Sequence, residues 1–174
     1  MPDNRRVFFA LWPGAEQARQ FDAAGCLAQA AFGGRRMRRE TLHLTLAFVG
    51  DVAADRLPVL RDVAGAIRLP PFALRFERLE CRHRRRIAWA AAAVPPELRD
   101  LADALAAGLR TAQFPVEERP FVAHVTLLRH ADCASRPPAG GLRIEWPVRD
   151  FVLVESELRP EGARYCIDER WPLA

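Results

Sequence analysis

Leu42-His43-Leu44-Thr45-Leu46-Ala47-Phe48-Val49 and Phe121-Val122-Ala123-His124-Val125-Thr126-Leu127-Leu128 share the signature His-x-Thr-Leu. Each lies in a run rich in Val, Leu, Phe and Thr, and the composition predicts strands over Thr41–Val49 and Phe121–Leu128. Side chains at i and i+2 of a strand point to one face, so each segment offers an imidazole and a hydroxyl together. The chain has four histidines and four threonines, and half of each are spent on this repeat. Working outward, Val7–Leu11 reads as a buried strand stopped by Trp12-Pro13-Gly14, followed by a helix from about Glu16 to Ala31 that Gly33-Gly34 ends. An arginine-rich connection, Arg35 to Arg39, leads into the first motif, and Gly50-Asp51 is expected to break its strand. Leu57, Leu60, Ala64 and Ile67 recur at helical spacing until Pro70-Pro71. Phe72–Leu79 and Ile87–Val94 form an expected hairpin with a basic tip, and Pro95-Pro96-Glu97 opens a helix with Leu98, Leu101, Ala102, Leu105 and Leu109 on one stripe, ending near Ala112. After the second motif, a proline- and glycine-rich loop from Ser135 to Gly141 precedes Val148–Leu158 and Arg164–Trp171, a terminal hairpin. Strands and helices do not alternate regularly, which predicts an α+β fold with largely antiparallel sheets. No linker divides the chain, so residues 1–174 read as one domain.

Two imidazoles can divide the roles of general acid and general base near neutral pH. Displacement at phosphorus places the nucleophile opposite the leaving oxygen, so proton-handling groups should flank a phosphate from two sides, and a repeated strand motif can supply that arrangement. The threonine hydroxyls would donate to non-bridging oxygens. The scheme needs neither metal nor cofactor. Three other readings stand beside it. The pair could be core histidines with ordinary strand threonines; it could be ligands of a metal, although no H-E-x-x-H or clustered carboxylates lie nearby; or it could serve a serine or cysteine nucleophile, although no G-x-S-x-G occurs.

All 26 residues of the Lys-plus-Arg total are arginine. The absence of lysine excludes Schiff-base chemistry, nucleotidyl-lysine intermediates and the P-loop lysine. The net charge of +4 suits a phosphate-bearing partner as well as a solvated basic surface. No apolar run approaches the ~20 residues of a membrane span, and the apolar core of the N-terminal stretch is too short for a signal peptide, so the chain is expected in the cytoplasm. Cys26, Cys81, Cys133 and Cys166 show no C-x-x-C pairing and are expected to be reduced and partly buried.

At these residues the chain resembles the 2H phosphoesterases, and within them the RNA 2′,3′-cyclic phosphodiesterases, also called 2′-5′ RNA ligase-like proteins. The resemblance extends to Arg6-Val7-Phe8-Phe9-Ala10-Leu11, to Leu42 through Gly50, to Arg119 through Leu127, to Phe151–Glu157, to Gly162-Ala163-Arg164-Tyr165 and to Trp171-Pro172-Leu173. One departure is Ala123, where relatives often carry proline before the second histidine. The resemblance implies a bilobal fold of two antiparallel sheets with outer helices, one motif from each lobe meeting in a central cleft. It implies metal-independent hydrolysis of an RNA 2′,3′-cyclic phosphate end to a 2′-phosphate, with His43 as proton donor to the leaving 3′ oxygen and His124 as proton acceptor from water. Thr45 and Thr126 would hold the phosphate. Arg129 matches an arginine of the family's extended second motif and would neutralise phosphate charge. Strand parity puts Arg129 on the face opposite His124, so the strand must twist, bulge or end there.

Two clusters, Arg35, Arg36, Arg38, Arg39 and Arg82, Arg84, Arg85, Arg86, fall on expected loops and could guide an RNA backbone. His83 and His130 read as exposed loop histidines. The partner class is RNA with a cyclic phosphate end or a related nucleotide, met by a monomer without a membrane. Rival functions keep the site but act on small nucleotide cyclic phosphates or 2′-5′ linkages, or dispense with catalysis and leave an RNA-binding module that needs only the arginines.

Overall fold

A computed structural model describes residues 3–174. Two antiparallel sheets face each other. The first, in the order β3-β1-β8-β9, is made from β1 (Asn4–Leu11), β3 (Leu44–Ala53), β8 (Asp150–Arg159) and β9 (Gly162–Pro172). The second runs β2-β6-β5-β4-β7, from β2 (Arg35–Arg36), β4 (Phe72–Arg82), β5 (Ile87–Ala92), β6 (His124–Arg129) and β7 (Ile144–Val148). Three helices pack on them: α1 (Ala15–Phe32), α2 (Leu57–Gly65) and α3 (Pro96–Thr111). The fold is α+β, as expected.

The helices follow their apolar stripes. In α3, Leu98, Leu101, Ala102, Leu105 and Leu109 are buried and Pro96 sits in the first turn, where its missing N–H costs nothing. In α1 the inward face is Ala18, Phe21, Ala24, Gly25, Ala28 and Phe32, and the N–H of Gly33 closes the last turn on the Gln29 carbonyl at 2.8 Å. In β8 four successive residues, Phe151 to Val154, are buried because this strand is covered on both faces. Phe151 and Leu153 join the main apolar core, which draws residues from both sheets and all three helices. Val152 and Val154 join Phe8 and Ala10 in a smaller cluster with Trp12 and Tyr165 against it.

Several expectations need correction. The first motif's strand begins at Leu44, because Arg39–Thr41 form a short 3-10 turn, and it continues through Gly50 to Ala53 because β1 offers ladder partners as far as Asn4. Gly50 bends the strand, with φ 92°, where a stop was expected. The second motif's strand begins at His124. Arg35-Arg36, read as connection, pairs with β6, and Ile144–Val148 forms an edge strand separate from β8, a position that tolerates Pro147. Cys81 and Cys133 are not reduced thiols but form a disulfide with Cα atoms 5.3 Å apart, joining β4 to the loop after β6. A separation of 52 residues hides this pairing from any spacing rule. Cys26 and Cys166 are free and exposed rather than partly buried.

Seating β2 beside β6 depends on Gly34. Its φ is +80°, and a Cβ there would lie 2.6 Å from the Arg129 carbonyl oxygen. Gly34→Ala should therefore destabilise the protein by about 2 kcal/mol, combining a left-handed backbone penalty with displacement of β2. Thermal unfolding should show a Tm lower by roughly 4–8 °C. An unchanged Tm would mean that β2 does not need this close approach.

Candidate active site

A cleft of about 520 Å³ opens between the sheets, and His43, Thr45, His124, Thr126 and Arg129 all line it. Each histidine stands where its chain enters a strand. There the backbone two residues earlier is outside the ladder, and its carbonyl is free to accept a side-chain donor. His43 Nδ1 donates to the Thr41 carbonyl at 2.7 Å, and His124 Nδ1 donates to the Val122 carbonyl at 2.9 Å. The bond fixes the tautomer of the neutral ring, leaving Nε2 of each as the atom that can take or give a proton. Thr41 itself is pinned, because its N–H and Oγ1 both donate to the Arg38 carbonyl, at 2.9 and 2.8 Å.

Strand parity would aim Arg129 away from His124. Between β5 and β6 the pairing steps from Ala88↔Leu128 to Trp89↔Thr126, leaving Leu127 as an extra residue. The bulge buries Leu127 and Leu128 in succession and returns Arg129 to the cleft side. Five residues past His43 the matching place holds Phe48, and the Arg6 guanidinium lies 4.9 Å from its ring centroid. Arg6 and Arg85 line the cleft with Arg129, and among the described residues no carboxylate does. The result is a positively charged slot.

The imidazoles sit in different surroundings. His43 stacks on Trp12 with ring centroids 5.3 Å apart and planes at 4°, and Phe8 and Tyr165 pack at 5.0 and 5.2 Å. Burial pushes its pKa from 6.5 down to about 4; the Thr41 bond opposes this, and His124 and Arg129 add to it. Burial also lowers the pKa of His124, whose ring lies 4.5 Å from Trp89. The Val122 bond and the Glu80 carboxylate pull the other way, and Arg85 and Arg82 reinforce the fall. Burial therefore favours the neutral form of both rings at pH 7. An anion placed against Arg129 would cancel one cause of the His43 depression and favour its imidazolium.

The five residues singled out in the sequence thus meet in one place. The arginine clusters do not behave as units. Arg36 and Arg39 both pair with Asp22 of α1, at 3.5 and 2.7 Å. Arg82 bonds Glu80 and lies over Trp89, Arg86 reaches the His130 carbonyl, and Arg85 enters the cleft wall. His83 and His130 are exposed and outside the cleft lining. Phe8, Trp12, Trp89 and Tyr165 were not assigned a function from the sequence. The chain's single tyrosine, so close to a motif histidine, carried no periodic signal that would mark it.

A family model described as the 2′-5′ RNA ligase superfamily matches residues 8–158. The chain is 33% identical over 174 residues to the RNA 2′,3′-cyclic phosphodiesterase of Escherichia coli, covering 99% of both chains. It is 29% identical to the protein of that name from Thermus thermophilus, covering 97% of this chain and 90% of the relative. Among solved structures, E. coli LigT complexed with 3′-AMP superposes with a TM-score of 0.87 at 33% identity, covering 98% of this chain and 99% of that one.

The His43 environment makes a specific titration. NMR should find its ring neutral at pH 7 with the proton on Nδ1, titrating near pH 4, and inorganic phosphate should raise that value. Because the folded value lies below the unfolded one of about 6.5, the contribution to stability is full above pH 6.5 and is lost as pH falls toward 4. His43→Gln should remove that part of the acid sensitivity in denaturant unfolding. A ring titrating at 6.5 or above in the ligand-free protein would refute burial among the aromatic rings as its controlling influence.

Proposed function

We propose how the site works from this premise: the chain belongs to the 2′-5′ RNA ligase superfamily, and its enzyme class is RNA 2′,3′-cyclic phosphodiesterase. The observation that carries the mechanism is the pair of Nδ1-anchored imidazoles in one cleft with two hydroxyls and an arginine. The cyclic phosphate sits between the histidines. His124 Nε2 takes a proton from water as the water oxygen attacks phosphorus, and the bond from phosphorus to the 3′ oxygen breaks. His43 donates its proton to that oxygen, leaving a 3′ hydroxyl and a 2′-phosphate. Thr45 and Thr126 donate to the non-bridging oxygens, and Arg129 offsets the charge that builds there.

The contrast between the imidazoles supports this assignment. His43, enclosed by Phe8, Trp12 and Tyr165, makes a strong acid once an anion has charged it, whereas His124 has one aromatic ring, Trp89, against it; burial lowers the pKa of His124 as well, and the Val122 bond and Glu80 offset part of that fall. The donors facing the cleft are two imidazoles among arginines, a set that binds an anion without a bridging cation. A non-catalytic RNA-binding role would leave both Nδ1 anchors without a purpose. Small nucleotide cyclic phosphates and 2′-5′ linkages present the same reacting group to the same residues.

All five residues come from one copy of the chain and a single apolar core runs through both sheets. These observations support a one-domain monomer acting on RNA ends as the proposed working form, with the cytoplasm as its proposed compartment. No helix among the described residues is long and apolar enough to cross a membrane.

On an RNA oligonucleotide with a 2′,3′-cyclic end, His43→Ala and His124→Ala should each lower turnover by roughly 10²- to 10⁴-fold, with folding intact by circular dichroism. Wild-type activity should persist in EDTA and trace a bell against pH. Loss of the acid should abolish the alkaline fall and loss of the base the acidic rise. The opposite limb assignment would exchange the roles; wild-type turnover in either folded variant would defeat the two-histidine mechanism.

A further inference from the structure

Beside the catalytic cleft lies a smaller one of about 80 Å³, with Met37, Thr41, Arg129, Ala163 and Tyr165 common to both. What the smaller cleft adds is the strand β2, above all Arg35. Arg35 is the ladder partner of Arg129. Residues directly opposite in an antiparallel pair point to the same face with Cβ atoms about 4.5–5.5 Å apart, and like charges so placed destabilise the sheet. Neither guanidinium is within ion-pair distance of a carboxylate among the described residues, although Arg36, Arg38 and Arg39 each have one. Glu161 lines the small cleft but is exposed and pairs with neither. Arg35 Nη1 instead extends toward Gly162 at the start of β9, 3.9 Å from where a Cβ on that glycine would stand. A positive φ at Gly34 and its contact with the Arg129 backbone hold this like-charge pair together.

Two adjacent, unneutralised arginines on one face call for an anion. We infer that Arg35 binds the phosphodiester on the 5′ side of the terminal ribose, so that the protein takes an RNA chain, rather than a lone nucleotide, across both clefts. The inference rests on the phosphodiesterase reading above. In RNA one ribose separates the cyclic phosphate from the next phosphate, and here Arg35 is the cross-strand neighbour of Arg129, which lines both clefts. Arg129 faces the reacting phosphate and Arg35 the upstream one, each guanidinium able to make paired hydrogen bonds to phosphate oxygens.

Three substrates test this: a nucleoside 2′,3′-cyclic phosphate, a dinucleotide with the same cyclic end, and that dinucleotide with an uncharged methylphosphonate linkage. For the wild type, kcat/KM should be roughly tenfold higher on the charged dinucleotide than on the methylphosphonate, the scale of one charge-assisted hydrogen bond. Arg35→Gln should erase that ratio, and Arg35→Lys should keep part of it. The Tm of Arg35→Gln should be no lower than wild type, because the substitution relieves repulsion. Equal slowing of all three substrates by Arg35→Gln would place Arg35 at the reacting phosphate, and a ratio unchanged from wild type would remove it from binding; either overturns the inference. A wild type that hydrolyses all three with equal kcat/KM defeats the Arg35 role alone. A wild type that hydrolyses none defeats the phosphodiesterase reading and the inference with it.

Discussion

The bond from each histidine Nδ1 to the carbonyl two residues earlier is the constraint on which the site depends. It requires an imidazole at a strand entrance, because one step later that carbonyl would belong to the ladder. It sets the tautomer and turns Nε2 toward the space between the sheets. The 3-10 turn before β3, closed by Thr41 on Arg38, and the irregular segment before β6 are thus part of what positions the two rings for the proposed chemistry. An unanchored imidazole would divide its population between two tautomers and several ring orientations, losing catalytic efficiency to disorder.

Electrostatics around that pair is unusually simple. The cleft holds arginines, hydroxyls, aromatic rings and imidazoles, and neither lysine nor carboxylate. Arginine keeps its charge across the accessible pH range, and burial moves the Tyr165 hydroxyl further from neutrality. The groups that change charge between mildly acid and mildly alkaline conditions are then the two histidines. The field they feel is then set by fixed charges, by each other and by an anion when one binds, so the proposed mechanism couples substrate binding directly to protonation.

How much was legible beforehand varied with the physical signal. The His-x-Thr repeat was visible because two identical local patterns need no tertiary information, and the α3 stripe because burial imposes a 3.6-residue period. The parity conflict at Arg129 was visible as a conflict; only the pairing with β5 revealed the extra residue, since a bulge belongs to two strands at once. β2 has no apolar pattern, being two exposed arginines held by backbone bonds and by a glycine that permits close approach. The Cys81–Cys133 pair and the rings around His43 come from segments distant in sequence. Arg85 looked like its neighbours in a charged run, and its backbone position alone distinguishes it.

The single apolar core that runs through both sheets has a mechanical consequence. Two lobes joined by a slender connection can swing, and enzymes built that way close over their substrates. Here such a swing would pull apart close-packed side chains from Val7 to Leu173 and expose them to water. Shared packing therefore resists a change in the width of the slot. Ligands are then sorted by how well they fit between walls that the shared packing already sets in place.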